Sequence, residues 1–148
     1  MDSSVKLPYY ATDVPLPLPT EAEIENALNI SLEYGGRRVV QIRCHYIVKF
    51  RKSVNLVEEE NMLFIQEMTK IPMPQVYALY SNPQIGKNYI IMEHITGETL
   101  AKLWASLTGA EKESIVAKLR GYYKELHQLS SPGYYDSIDK QTLLDEIF

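Results

Sequence analysis

RVVQIR (38–43) and YIVKFR (46–51) decide the fold. Both runs are rich in β-branched and aromatic residues, which suit a pleated, half-buried surface. Only Cys44 and His45 separate them, so a tight antiparallel hairpin is expected. In the second run, period two sends Tyr46, Val48 and Phe50 to one face and Ile47, Lys49 and Arg51 to the other. A second pair of runs, QVYALYS (75–81) and NYIIMEH (88–94), flanks Asn82-Pro83 and Gly86 and reads as another hairpin. Short hairpins with helices between and after them favour an α+β fold with a small antiparallel sheet of about four to five strands, not a doubly wound one.

The helices declare themselves by their caps. Thr20 with Glu23 is a capping box, and Ile24, Ala27, Leu28 and Leu32 follow at helical spacing before Gly35-Gly36 signals a turn. Asn55 with Glu58 resembles a second such arrangement. It opens a helix over 57–69, with Glu58, Met62, Ile65 and Met68 or Thr69 along one stripe. The prolines of IPMP (71–74) stop that helix. Thr96-Gly97 breaks the chain, and a short helix is expected over 99–106. Thr108 with Glu111 then caps the clearest helix of all, with Ile115, Leu119, Tyr122, Leu126 and Leu129 on one face. A short last helix is expected over 140–147. Upstream, Pro8, Pro15, Pro17 and Pro19 make residues 1–19 an arm. Val14, Leu16 and Leu18 alternate with three of these prolines, which suits either an extended strip against the body or a flexible tail.

Composition narrows the function classes. The 148 residues suffice for the arm plus one domain, 20–148, divided into a sheet-rich part (20–97) and a helical extension (98–148). The net charge of −4 argues against a general nucleic-acid binder. A single cysteine, Cys44, excludes an internal disulfide and a Cys-rich zinc site. No apolar run approaches the ~20 residues that span a bilayer, and the first residues lack the blocks of a signal peptide. A cytoplasmic location is the expectation.

The strongest chemical candidate is Lys49 with the acidic helix start Glu58-Glu59-Glu60. A lysine inside an apolar strand is expensive to bury unpaired, and a carboxylate on a neighbouring helix would hold it charged and oriented. Such a lysine meets phosphate oxygens as a point charge. The plainer alternative is an edge-strand lysine in water beside three glutamates that the helix dipole favours anyway.

The segments YGGRRVVQIRCHYIVKF, VEEENMLFIQEMTKIPMPQVYALY and YIIMEHITGETL, followed by LWASLTGAEKESIVAKLRGYYKELHQLSSPGYY, resemble the aminoglycoside phosphotransferase family, closest to its fungal branch. The resemblance covers about residues 20–137 and implies a kinase-like N-lobe followed by helices. It implies that Lys49 contacts nucleotide phosphates, with Glu58 as its helix partner and Glu60 as the fallback. Ile47 would roof the adenine site, Met92 would be the gatekeeper, and Glu93 to Ile95 the hinge.

Two departures from the family pattern matter. Gly35-Gly36-Arg37-Arg38 is a poor phosphate-covering loop. The family's His-Gly-Asp base loop and its later magnesium aspartate have no counterpart here: none of His45, His94 and His127 precedes Gly-Asp. Phosphoryl transfer depends on positioning and on metal ions, which Lys49 alone does not supply. The expectation is therefore a chain stopped before its catalytic half, with ATP–magnesium binding weak or absent and no cofactor or metal assigned. It would act as a small-molecule or protein binding module. Two alternatives stand beside this. One is a small enzyme reusing the cleft for metal-free isomerisation or cyclisation of a fungal metabolite, with Lys49, Glu58, His94 or Tyr46 as acid–base groups. The other is an inert fragment.

Further features carry weaker expectations. Six positive charges fall between Arg37 and Lys52, apt for an anionic partner or simply protective of edge strands. Tyrosines outnumber phenylalanines eleven to three, which suits interfaces. The apolar stripe after Thr108 needs a cover. Either the helices of 99–129 and the arm fold back over the sheet, or a second copy or a separate helical lobe covers it.

Overall fold

The computed structural model describes residues 7–31, 36–52 and 57–129, the last stretch with side chains from Glu59 onward. The Asn55–Glu58 cap, the side chain of Glu58, Leu32, Gly35 and the helix expected over 140–147 lie outside these residues. In chain order the elements are β1 (Tyr9–Tyr10), α1 (Glu21–Asn26), β2 (Arg38–Ile42), β3 (Tyr46–Lys52), α2 (Val57–Met68), β4 (Val76–Asn82) and β5 (Lys87–Glu93). Then come α3 (Leu100–Leu103), a 3₁₀ turn (Trp104–Ser106) and α4 (Gly109–His127). The strands form one antiparallel sheet in the order β1-β4-β5-β3-β2, so the fold is α+β.

The hairpin that opens the sequence argument runs from Arg38↔Phe50 to Ile42↔Tyr46. Its turn takes three residues, not two, because Arg43 and Cys44 both adopt positive φ, 52° and 58°. Left-handed backbone costs an L-residue roughly 1–2 kcal/mol. Arg43 gains an offset, its guanidinium 3.4 Å from Glu23 and over the Tyr46 ring. Cys44 is exposed and its side chain is a free thiol. Cys44→Gly is therefore expected to raise stability by about 1 kcal/mol. A thermal melt checks this, and an unchanged or lower Tm would contradict it.

The alternation along β3 builds two layers. Tyr46, Val48 and Phe50 join Ile24, Val40, Ile42, Tyr89 and Ile91 in a buried cluster on one face. The arm covers that cluster, with Ala11, Val14, Leu16 and Leu18 packed against it. Of the two readings of the arm, the extended strip holds for residues 7–18. Its anchor is Tyr46, whose hydroxyl donates to Leu16 O and accepts from Leu16 N at 3.2 Å. The opposite face is a second cluster, Leu63 of α2 with Val76, Leu79, Ile90 and Met92, against which Ile47 and Met62 pack.

α1 is shorter than its apolar spacing predicts. The Thr20–Glu23 capping box forms, but the helix ends at Asn26 and Ala27 turns extended. Arg38 explains the stop. Its guanidinium donates to Ala27 O at 3.1 Å, to Asn29 Oδ1 at 2.9 Å and to the Glu25 carboxylate at 3.3 Å. Asn29 then bridges Val40 on the sheet edge, and Ile30 N donates to Val39 O at 2.9 Å. Edge pairing has taken the place of further helix, so Leu28 is left 87% exposed, while Ile24 alone among the described residues of the stripe is fully buried.

Four rings stack across four strands on the arm side. Phe50 lies 5.5 Å from Tyr89, Tyr89 5.1 Å from Tyr80, and Tyr80 5.9 Å from Tyr10, all within 25° of parallel. Burial first, and then the carboxylates of Glu21 and Glu25, push the Tyr89 hydroxyl up from 10.0 to about 12. Burial raises Tyr80 and Tyr77 as well. A raised folded-state pKa stabilises fully below the unfolded value and is lost as pH climbs through the folded one. Stability should therefore hold up to pH 10.0 and fall towards about 12, with Tyr89→Phe shifting the onset of alkaline unfolding upward. An onset unchanged in the variant would contradict this.

α3 and α4 do not cover the sheet, contrary to one of the expectations above. Thr108 and Glu111 form the expected capping box, yet no residue of α4 is buried. One edge of α4 touches the body: Glu125 Oε1 accepts from Lys70 N at 2.7 Å, and Lys112 Nζ sits 5.2 Å from the Trp104 ring. Among the described residues no helix is long and apolar enough to cross a membrane.

Candidate functional site

The pairing register decides which candidates meet. Ile47 lies opposite Met92, and Lys49 lies between Val39 and Ile90. Directly opposed residues share a face, so Ile47, Lys49, Ile90 and Met92 form one patch on the α2 side. Met92 is 5% exposed and packs with Leu63, Ile47 is half-buried, and Lys49 is exposed. The result is an apolar floor beside a cation, next to the point where β5 ends.

α2 also brings an acid to this face, beside Arg51, while the side chain of Glu58 lies outside the described residues. Glu59 is the buried acid, and its carboxylate lies 4.0 Å from the Arg51 guanidinium, two residues beyond Lys49 on the same face. Among the described side chains the helix turns Glu59, Met62, Leu63 and Gln66 toward the sheet, with Ile65 half-buried as well. Gln66 Oε1 fixes the far end of that stripe by accepting from Val76 N at 2.8 Å. Glu60 is half-buried on the same helix. Arg51 Nε and Asn61 Oδ1 are buried there without a hydrogen-bond partner among the described residues, which leaves polar capacity under the start of α2.

Other candidates are placed elsewhere. Tyr46 is on the opposite face with its hydroxyl bonded to the arm backbone, so the fold does not bring it together with Lys49. Glu93 pairs with Tyr46, and its Oε2 accepts from Gln75 N at 3.1 Å. His94 is drawn to the hairpin turn. Its Nδ1 lies 3.0 Å from Cys44 O, and its N–H donates to His45 O at 3.1 Å. Ile95 follows the strand and is 57% exposed.

The basic cluster is largely spent on structure. Arg38 pairs with Glu25, Arg43 with Glu23 and Arg51 with Glu59. The acids come from helices distant in sequence, so the run of positive charge from 37 to 52 does not survive as one field. An open pocket of about 390 Å³ lies at the C-terminal end of α2, lined by Gln66, Thr69, Lys70, Ile71 and neighbours, and none of the candidate residues lines it. Among the described residues no group of three metal-ligating side chains gathers.

No family model matches the chain, and no solved structure matches it. Two curated proteins are similar, both named subtelomeric hrmA-associated cluster proteins, from two strains of Aspergillus fumigatus. Each is 30% identical, over 88 and 79 residues, or 58% and 52% of this chain. The matches take in only 17% and 16% of those relatives, so the chain matches about a sixth of their length.

Proposed function

We propose that the chain is a ligand-binding module built like the N-lobe of an aminoglycoside phosphotransferase, and that these residues alone do not transfer phosphoryl groups. The observation that carries the reading is the register of β3 against β5. It sets Ile47 and Met92 side by side as an apolar floor and places Lys49 at its margin, beneath α2. A planar apolar group would lie on that floor, and Lys49 would meet an anionic oxygen as a point charge. The order of a lysine-bearing strand, a packed helix and a hairpin whose second strand pairs with the lysine strand supports the resemblance. The exposed apolar side chains of α3 and α4 form a second surface, suited to a protein partner, either a second copy or a separate helical lobe.

No His-Gly-Asp loop occurs in these 148 residues. ATP with magnesium is therefore expected to bind weakly, in the millimolar range that corresponds to about 4 kcal/mol. Calorimetry giving a micromolar constant would contradict the reading. Lys49→Ala is expected to weaken the binding of ATP several-fold, while Lys52→Ala leaves it within error. Equal and negligible effects would make Lys49 an ordinary surface lysine.

A further inference from the structure

We propose that Gln41 selects what lies on the ligand patch. It favours a planar ring with a hydrogen-bond donor and an acceptor side by side on one edge over a flat ring with no polar edge. This rests on the reading of the Ile47–Met92 floor as the seat of a planar group, and adds the polar contact that the floor lacks.

The register places the residue. Gln41 lies opposite Ile47, and Ile47 opposite Met92. Two residues along, Val39 lies opposite Lys49, and Lys49 opposite Ile90. Directly opposed residues share a face. The α2 side of the sheet therefore carries two rows, Gln41–Ile47–Met92 and Val39–Lys49–Ile90, about 7 Å apart by the rise of two strand residues. The first row lies at the end of the sheet where β5 stops, at Glu93.

α2 does not close the β2 end of these rows. Its apolar cluster is built on β4 and β5 and reaches Ile47 on β3. Gln41 and Val39 are half-buried on β2, the edge strand beyond. The other parity of β2 serves the fold, with Val40 and Ile42 buried and Arg38 bonded to Ala27 and Asn29 after α1. Gln41 is free of that work. Among the described residues nothing hydrogen-bonds its carboxamide.

That carboxamide is a polar group at the rim of an apolar floor. It offers a C=O acceptor and an NH₂ donor, so it pairs with an adjacent donor and acceptor through two parallel hydrogen bonds. A ring without such an edge would cover the carboxamide and leave it unpaired, which is the basis of discrimination by a polar site. Lys49 lies diagonal to Gln41 across the two rows, at about 7–8 Å. One ligand can therefore meet both. The class is a flat heterocycle with an amide-like edge, joined to an anionic group that reaches Lys49.

NMR titration of the full chain with AMP and with 1-naphthyl phosphate, each without metal ion, tests this. Both carry a flat ring and a phosphate, and only the adenine ring has a donor–acceptor edge. Both should shift Ile47 and Met92, and AMP alone should shift the side-chain amide signals of Gln41. Gln41→Met keeps the length of the side chain. It should leave the melt unchanged, weaken AMP several-fold and leave 1-naphthyl phosphate no weaker, whereas Lys49→Ala should weaken both. Gln41 amide signals that AMP does not move, AMP binding unchanged in Gln41→Met, or an equal loss for both ligands there would make Gln41 an ordinary edge-strand residue. Any of these overturns the proposal and leaves the floor standing. If neither ligand shifts Ile47 or Met92, or Lys49→Ala changes neither affinity, the floor is not the seat and both readings fall.

Discussion

Tyr46→Ala is expected to destabilise the protein by about 4 kcal/mol, the range for removing a buried aromatic ring. The ring is fully buried, meets Tyr77 edge-on at 5.5 Å, and ties the arm to the sheet through both backbone groups of Leu16. Tyr46→Phe separates the two contributions. It keeps the ring and leaves the Leu16 amide and carbonyl without their partner, which costs about 1–3 kcal/mol. The readouts are chemical denaturation for stability and limited proteolysis for the arm, since residues 7–18 should become cleavable first. Binding of ATP at the opposite face should be unchanged in Tyr46→Phe. An acid–base role for Tyr46 predicts the reverse pattern, with stability kept and function lost.

Leu63→Ala is the second large effect, at about 3 kcal/mol. Leu63 is 1% exposed and packs with Val76, Leu79, Ile90 and Met92, the cluster that holds α2 to the sheet. Its loss leaves a cavity directly behind the Ile47–Met92 floor. The variant should therefore bind ATP more weakly as well as unfold earlier, unlike Tyr46→Phe. Met62→Ala, on a half-buried neighbour, should cost less than Leu63→Ala. Equal losses at the two positions would mean that α2 is held elsewhere.

What could be read from the sequence was what local physics controls. The capping boxes at Thr20 and Thr108 depend on side chains three residues apart, and both form. The hairpin strands follow from composition and period two, which also separates Lys49 from Tyr46. What could not be read depends on partners brought from far along the chain. The length of α1 is set by Arg38, which captures the chain at Ala27 and Asn29 before the helix can propagate. The burial of Glu59 on α2 is of this kind, since apolar spacing gives no signal for a charged residue turned inward. Its partner Arg51 shares the parity of Lys49, and that parity is the one sequence clue to the pair. The basic run looked continuous because its neutralising acids, Glu23 and Glu25, come from before Arg37 and Glu59 from beyond Lys52.

The placement of the ligand patch is tested most directly by a two-dimensional NMR titration of the full chain with ATP and magnesium. The prediction is weak, fast-exchange binding, with shifts gathered at Ile47, Lys49, Ile90, Met92 and Ile95, and most of them lost in Lys49→Ala. Shifts centred on Tyr46, Glu93 and the arm, a tight complex, or no shifts at any concentration would contradict it.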